Sequence, residues 1–143
     1  MKTFCLLLIP FVAAMVTSQG KPPSGFVSLF NEENLDGWWG AKTEDPYKWM
    51  SLSTDEFQKK WEASQIDIHK HWSVENGELV NDGKGLFLTT DKNYGDFELL
   101  LEYKTVAGAD SGIYLRGVPQ IQIWDSTKEG GKWKLGADKG SGG

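Results

Sequence analysis

Residues 94–125 constrain the fold more than any other part of this chain. They read YGDFELLLEYKTVAGADSGIYLRGVPQIQIWD, which is three runs of strand-forming residues separated by turn signals. Polar side chains recur at every second position of each run, as in strands with one buried and one exposed face. The alternation puts Phe97 and Leu99 on one face and Glu102 on the opposite face. The stretch therefore predicts a half-buried β-sheet.

The polar faces of these strands would combine into one surface if the strands are neighbours. That surface would carry the following side chains: Glu102, Tyr114, Arg116, Gln120, Gln122 and Trp124. Hydrogen-bonding groups next to aromatic rings suit the binding of a sugar, whose rings have apolar faces and polar edges. A sheet face that only contacts solvent more often carries Lys, Thr and Ser. The pattern therefore favours a carbohydrate site on the sheet.

Composition supports the same class of protein. Seven Trp and 17 Gly among 143 residues fit one turn-rich, all-β domain with aromatic platforms. The formal net charge is -5, and acidic and basic residues are interspersed. Because no basic stripe is present, we expect no nucleic-acid partner.

The first twenty residues have the pattern of a secretory signal peptide. A positively charged start precedes an apolar run at 4–16, and small residues follow at 17–20. The run is too short for a comfortable membrane span, although an uncleaved anchor is the alternative. We therefore expect an exported protein, periplasmic or extracellular, without a transmembrane segment in the mature chain. Cys5 is the only cysteine and lies in this segment, so the mature chain would have no disulfide and no thiolate site.

The domain itself should begin after a linker at 21–25. Ser53 and Glu56 have the spacing of a capping box, so a helix should begin at Thr54 and run to about His69. Its apolar stripe is weak, which makes it a peripheral helix on the sheet. Strands are expected at 26–30, 71–75, 78–81, 85–90, 97–104, 113–116 and 120–124.

The sequence ends in a glycine-rich stretch, 136–143, with no later strands to close the edges of the predicted sheet. We therefore expect that the last strands of the domain are missing. The 143-residue form alone should then be poorly soluble or inactive, and a form extended through further strands should be soluble and active.

Five motifs follow one another along the chain. They are FN at 30–31 with LDGW at 35–38, WSVENGELV at 72–80, YGDFEL at 94–99 with EY at 102–103, DSGIYLRG at 110–117, and QIWD at 122–125. This ordered series resembles the 3-keto-disaccharide hydrolase family, formerly a domain of unknown function. The resemblance implies an all-β fold, a concanavalin-like jelly-roll sandwich of two antiparallel sheets with one peripheral inserted helix. Residues 26–143 would form about the first two-thirds of that domain, and the helical insertion is similar to that of exported bacterial members.

The resemblance also implies a substrate, a glycoside already oxidised to a ketone at C3. The ketone acidifies the C2 proton, so a base can form an enolate, the group on C1 leaves, and water adds back in a net hydrolysis. Glu102 and Asp125 are the candidate bases, and Arg116 is a permanent cation that could stabilise the oxyanion. A divalent metal ion could replace Arg116, with Glu102 or Asp125 as its ligand. The candidate substrate-binding residues are Asp110, Tyr114, Gln120, Gln122 and Trp124.

The chain departs from the family pattern in two respects. Gln120 stands where many members have a carboxylate, and the family domain continues past Gly143. Structural roles also compete with the catalytic ones. Glu102 could pair with Lys104 or with Arg116 across strands, Asp125 could cap a turn, and Asp110 could belong to a tight turn.

Three other function classes fit the same pattern. A carbohydrate-binding module without catalytic activity would have the same fold and aromatic face. An ordinary two-carboxylate glycosidase would use two acidic side chains on an unoxidised sugar. A structural or adhesive sandwich domain would use the polar face to contact another protein. Turnover of a 3-keto glycoside separates the binding module from the predicted enzyme.

Overall fold

A computed structural model describes residues 21–142. The predicted signal peptide, 1–20, and Gly143 lie outside the described residues. The strands of the described part pair in antiparallel sheets and the helices are few. This agrees with the all-β, jelly-roll-like fold class that the sequence predicts. Between residues 21 and 142, no helix has the length and apolar character needed to span a membrane.

The regular elements form a strand, two helices and then five further strands. They are β1 (Trp38–Ala41), α1 (Pro46–Met50), α2 (Thr54–His71), β2 (Trp72–Glu75), β3 (Glu78–Asn81), β4 (Phe87–Thr90), β5 (Asp110–Tyr114) and β6 (Gln120–Trp124). Two short 3-10 turns follow, Trp133–Leu135 and Ala137–Lys139. In the described part of the chain, β1 pairs with β4, β2 with β3, and β5 with β6, each antiparallel.

Helix α2 begins at the predicted residue because its capping box forms. Ser53 Oγ accepts a hydrogen bond from the Glu56 backbone N–H, and Glu56 Oε2 accepts one from the Ser53 backbone N–H at 3.0 Å. These bonds satisfy backbone donors that have no partner within the first turn of the helix. The helix ends at His71, two residues later than predicted, and the short helix α1 is an addition to the prediction.

The core lies where the helices cover β1. Trp39 is 1% exposed and makes edge-to-face contacts with Trp49 and Phe57, with ring centroids 5.4 and 5.3 Å apart. Ile68 of α2 is fully buried, and the buried Ser64 Oγ accepts a hydrogen bond from the Gly40 N–H at 2.9 Å. The helix is therefore fixed to the sheet by one turn of buried residues, and most of its surface stays exposed, as predicted.

The hairpin of β2 and β3 forms where the Asn-Gly pair predicts it. Asn76 and Gly77 both have positive φ, 55° and 80°. This is the backbone that a two-residue hairpin loop requires, and asparagine and glycine adopt it at the lowest steric cost.

Two of the predicted strands, 26–30 and 97–104, are absent from the described structure because neither segment pairs with another strand. Both predictions are therefore wrong. Residues 26–30 form an irregular segment after the turn at 24–25, in which Phe26 N donates to Pro23 O and Ser28 Oγ to Phe30 O. Local bonds of this kind compete with strand pairing. Residues 97–104 form no ladder with any described residue. Alternation fixes which side chains share a face, whereas a ladder also needs a neighbouring backbone about 4.8 Å away.

The faces predicted for 97–104 nevertheless exist. Phe97, Leu99, Leu101 and Tyr103 line an apolar groove of about 460 Å³ together with side chains of the β5–β6 hairpin. Those hairpin side chains include Ile113, Ile121 and Ile123. The opposite face of the hairpin is therefore the side on which a polar site can lie.

Candidate functional site

The candidate site is the polar face of the β5–β6 hairpin, which is the side turned away from the apolar groove. We call it the polar face, and its cross-strand pairs are Asp110 with Trp124, Gly112 with Gln122, and Tyr114 with Gln120. Antiparallel register places the two members of each pair side by side. Five of the eight site residues predicted from the sequence thus lie together: Asp110, Tyr114, Gln120, Gln122 and Trp124.

Asp110 holds two hydrogen-bond donors on this face. Its Oδ1 accepts from Gln122 Nε2 at 2.8 Å, and its Oδ2 lies 2.9 Å from Lys132 Nζ. Gln122 Nε2 also donates to the Ser111 carbonyl at 2.8 Å. The hydrogen bond from Lys132 is the largest cause of a lowered Asp110 pKa, and Gln122 lowers it further. Asp110 is therefore an ionised carboxylate with an ammonium and an amide fixed beside it.

Aromatic rings lie at the two ends of the polar face. Tyr114 stacks on Phe87 of β4, with ring centroids 5.5 Å apart and an angle of 26° between the ring planes. Trp124 is half-buried, and its Nε1 donates to the Gly140 carbonyl at 3.0 Å. The two rings are separated along the hairpin by about four residues, or roughly 13 Å. Each has a fixed orientation, as a stacking platform for a sugar requires.

Gly112 leaves room for a side chain in the middle of the polar face. A Cβ atom added at Gly112 would lie 2.8 Å from both Cγ and Cδ of Gln120. The Gln120 side chain therefore lies across the Gly112 backbone, between the two aromatic ends. Any larger residue at 112 would displace it.

Arg116 does not point along the polar face. It follows β5 in a turn with φ of 51°, and its Nη2 donates to the Gly95 carbonyl at 2.7 Å and to Asp96 Oδ1 at 2.9 Å. The side chain is 61% exposed. The guanidinium thus joins the turn before residues 97–104 to the Tyr114 end of the hairpin.

Asp125 lies at the other end of the hairpin and is used in a turn. Its Oδ2 accepts from the Gly108 N–H at 2.7 Å, and its Oδ1 accepts from the Thr127 N–H at 2.9 Å. These hydrogen bonds, that from Gly108 first, lower the pKa of Asp125. The carboxylate lines a second concavity of about 360 Å³ with Glu129 and residues 105–108. Its geometry is that of a turn cap.

Glu102 is exposed in the segment without ladder partners. Among residues 21–142, neither of the ion pairs considered for it forms, and Lys104 Nζ instead lies 4.0 Å from Glu78 Oε2 while Arg116 pairs with Asp96. Its odd-numbered neighbours line the apolar groove, so alternation directs Glu102 away from the groove. Its exposed carboxylate can therefore be reached by a ligand.

The structure therefore separates two of the three residues predicted as catalytic, Asp125 and Arg116. Asp125 lies beside Ala109, to which it is hydrogen-bonded at 2.9 Å, and Arg116 follows Leu115 at the far end of β5. The strand between them is about 20 Å long at roughly 3.3 Å per residue. Their catalytic roles stay predictions.

Lys132 is the polar-face residue that sequence reasoning missed. It lies in an irregular, glycine-rich segment after β6, where no periodic pattern assigns a face to a side chain. Only the ion pair with Asp110, 22 positions earlier in the chain, brings it to the site. The one signal in the sequence is a basic residue between a Gly-Gly pair and a tryptophan.

The predicted divalent metal ion finds no ready ligand set. Among residues 21–142, no three His, Cys, Asp or Glu side chains come close enough together to hold a metal ion. Both oxygens of Asp125 already accept backbone hydrogen bonds. The metal ion stays a prediction, and the residues described do not fit it.

Comparison with known proteins gives one match. The family model of the 3-keto-alpha-glucoside-1,2-lyase-like domain matches residues 25–143. Neither the curated proteins nor the solved structures contain a match to this chain. The match confirms the predicted resemblance and supports a carbohydrate-active function in general. The chain therefore belongs to the family of 3-keto-alpha-glucoside-1,2-lyase-like domains.

Proposed function

We propose that this protein is an enzyme that cleaves the glycosidic bond of glycosides carrying a ketone at C3. The observation that carries the proposal is the cluster of Asp110, Gln122 and Lys132 beside aromatic rings on one face. It occurs in a chain whose family is named for 3-keto-alpha-glucosides. The cluster combines the charged and amide groups that bind sugar oxygens with rings that bind the apolar face of a sugar.

The reaction proceeds by elimination and addition. A carboxylate takes the C2 proton, and the electron pair of that bond forms a C1–C2 double bond as the C1–O bond breaks. The leaving oxygen takes up a proton and departs as an alcohol. Water then adds, with its hydroxyl at C1 and its proton at C2, so the net reaction is hydrolysis. The slow step needs a base and a group that stabilises the negative oxygen at C3.

Glu102 is the better of the two predicted bases. Its carboxylate is exposed and has neither of the ion pairs considered for it. Asp125 has a lowered pKa and both oxygens bound to backbone N–H groups. A carboxylate stabilised in its ionised form in this way is a weaker proton acceptor. We therefore assign proton removal to Glu102 and a structural role to Asp125.

The test uses a matched pair of substrates. The purified protein, both in the 143-residue form and in a form extended through further strands, is incubated with 4-nitrophenyl 3-keto-α-glucoside and with the unoxidised 4-nitrophenyl α-glucoside, and nitrophenol release is measured against a reaction without protein. We expect release only from the keto substrate, and one deuterium at C2 of the sugar product in D2O. Binding without release would support the carbohydrate-binding module instead. Release from the unoxidised glycoside would support an ordinary two-carboxylate glycosidase.

Two variants separate the roles of the acidic residues. Glu102→Gln should lower kcat by about 10²- to 10⁴-fold, the usual contribution of a general base, and leave thermal unfolding unchanged. Asp125→Asn should lower the unfolding temperature because it weakens the bonds to Gly108 and Thr127, while kcat at a temperature where it is folded stays close to wild type. The reverse pattern would assign the base to Asp125.

A further inference from the structure

Lys132 is held in place by its own segment of chain. Its carbonyl accepts hydrogen bonds from the N–H groups of Leu135 at 2.8 Å and Ala137 at 3.3 Å. The next residue, Trp133, anchors the segment through a bond from its Nε1 to the Ser126 carbonyl at 3.1 Å. The side chain therefore leaves the backbone from a fixed point next to the end of β6.

The Lys132 ammonium then lies at the Trp124 end of the polar face. Its partner Asp110 is the cross-strand neighbour of Trp124, and the same carboxylate binds the Gln122 amide. The Lys132 side chain is 32% exposed, so solvent and ligands can reach it. An ammonium carries three N–H donors, so it can bind a ligand oxygen while it still contacts Asp110.

The other basic candidate is engaged elsewhere. Arg116 donates hydrogen bonds from Nη2 to the Gly95 carbonyl and to Asp96 Oδ1. These contacts lie at the opposite end of the hairpin from Asp110. Lys132 is therefore the cation whose position fits the cluster of charged and amide groups, and Arg116 has the contacts of a structural residue.

We propose that Lys132 is the cation that contacts the C3 oxygen of the substrate and stabilises the enolate formed when C2 loses its proton. This inference rests on the proposed function and replaces Arg116 in the oxyanion role predicted from the sequence. A sugar ring stacked on Trp124 presents its edge oxygens to Lys132 and Gln122. Asp110 acts as a positioning residue that keeps the ammonium directed at this edge.

The chemistry favours the transition state over the bound substrate. The ketone oxygen is neutral in the substrate and becomes negative as the C2–H bond breaks. A fixed ammonium therefore gains most of its interaction energy during the reaction, which raises kcat more than it lowers KM. No covalent bond to Lys132 forms, and the proton from C2 goes to the base.

The experiment compares Lys132→Met and Lys132→Arg with the control Lys134→Met, which removes an exposed lysine two residues along the same segment. Two reactions are measured for each protein. The first is nitrophenol release from 4-nitrophenyl 3-keto-α-glucoside. The second is exchange of the C2 proton in D2O for a 3-keto sugar without a leaving group at C1, followed by NMR. Thermal unfolding is recorded for all proteins.

We expect Lys132→Met to lower kcat and the exchange rate together by about 10²- to 10³-fold, the range for loss of one oxyanion donor, with KM changed less than about threefold. Lys132→Arg should recover part of both rates, and the Lys134 control should match wild type. A wild-type protein that is inactive in both reactions, in the 143-residue form and in the extended form, would overturn the proposed function. An active wild type with Lys132→Met within threefold of its kcat would overturn only the role of Lys132.

A second route avoids any dependence on the folding of the methionine variant. In a Cys5→Ser background the chain has no other cysteine, so Lys132→Cys can be folded first and then aminoethylated with 2-bromoethylamine. This rebuilds a cation of nearly the same length at position 132. We expect kcat to rise at least tenfold on modification. Modification that leaves kcat unchanged, while mass spectrometry shows complete reaction, would contradict the inference.

Discussion

Gly112 determines where the Gln120 amide lies, and Gly112→Ala tests the polar face directly. The new Cβ would overlap Gln120 Nε2 and would also lie 2.8 Å from Gln120 Cγ and Cδ, whereas ordinary contacts begin at 3.4 Å. The glutamine side chain must therefore move its amide out of the way by adopting a different rotamer. Because Gln120 is exposed and flexible, the displacement should cost the fold little.

The cost should appear in substrate binding. Displacing the amide removes one hydrogen bond to a sugar hydroxyl, a net loss of about 0.5 to 1.5 kcal/mol, which corresponds to a roughly 2- to 13-fold rise in KM. Gln120→Ala should give a rise of the same size. The double variant should be no worse than the more impaired single one, because both changes remove the same contact.

Initial rates on the 3-keto substrate for the four proteins complete the cycle, and thermal unfolding provides the control for folding. A Gly112→Ala protein with the KM of wild type would refute the placement of Gln120 on the binding face. So would a double variant whose KM rises by the product of the two single effects, since independent contacts would then be responsible.

Two further predictions concern the core and the Asp110 pair. Ser64→Ala should lower the free energy of unfolding in urea by about 1 to 3 kcal/mol, because it leaves the buried Gly40 N–H without its acceptor. The exposed control Ser51→Ala should stay within about 0.5 kcal/mol of wild type. Equal losses of stability in the two variants would contradict the role assigned to the Ser64 hydroxyl. The pKa of Asp110 is lower in the folded than in the unfolded protein. The contact between Asp110 and Lys132 therefore stabilises the fold fully at pH values above the unfolded-state pKa of about 3.9. This stabilisation is lost as the pH falls through the folded-state pKa. An NMR titration of the Asp110 carboxyl should therefore give a midpoint below 3.8 in wild type and a higher one in Lys132→Met, and identical midpoints would show that Lys132 is not the cause.

Several features of this protein were readable from the sequence because they depend on neighbouring residues. The capping box fixed the start of α2 through contacts three positions apart. The Asn76-Gly77 pair fixed a hairpin, because those residues adopt positive φ readily. The alternation in 120–124 correctly divided β6 into an apolar and a polar face. The motif series was likewise sufficient to predict the family.

Contacts between residues that are distant in the chain were decided only by the tertiary structure. Alternation placed Glu102 and Arg116 on polar faces, yet the Arg116 side chain hydrogen-bonds to the Gly95 carbonyl and to Asp96. Asp125 accepts a hydrogen bond from the Gly108 backbone and is used in a turn. Lys132 reached Asp110 from a segment without any periodic signal. Local patterns specify which side a residue faces, but the path of the intervening chain determines what it meets there, since a contact over twenty positions depends on every turn between them.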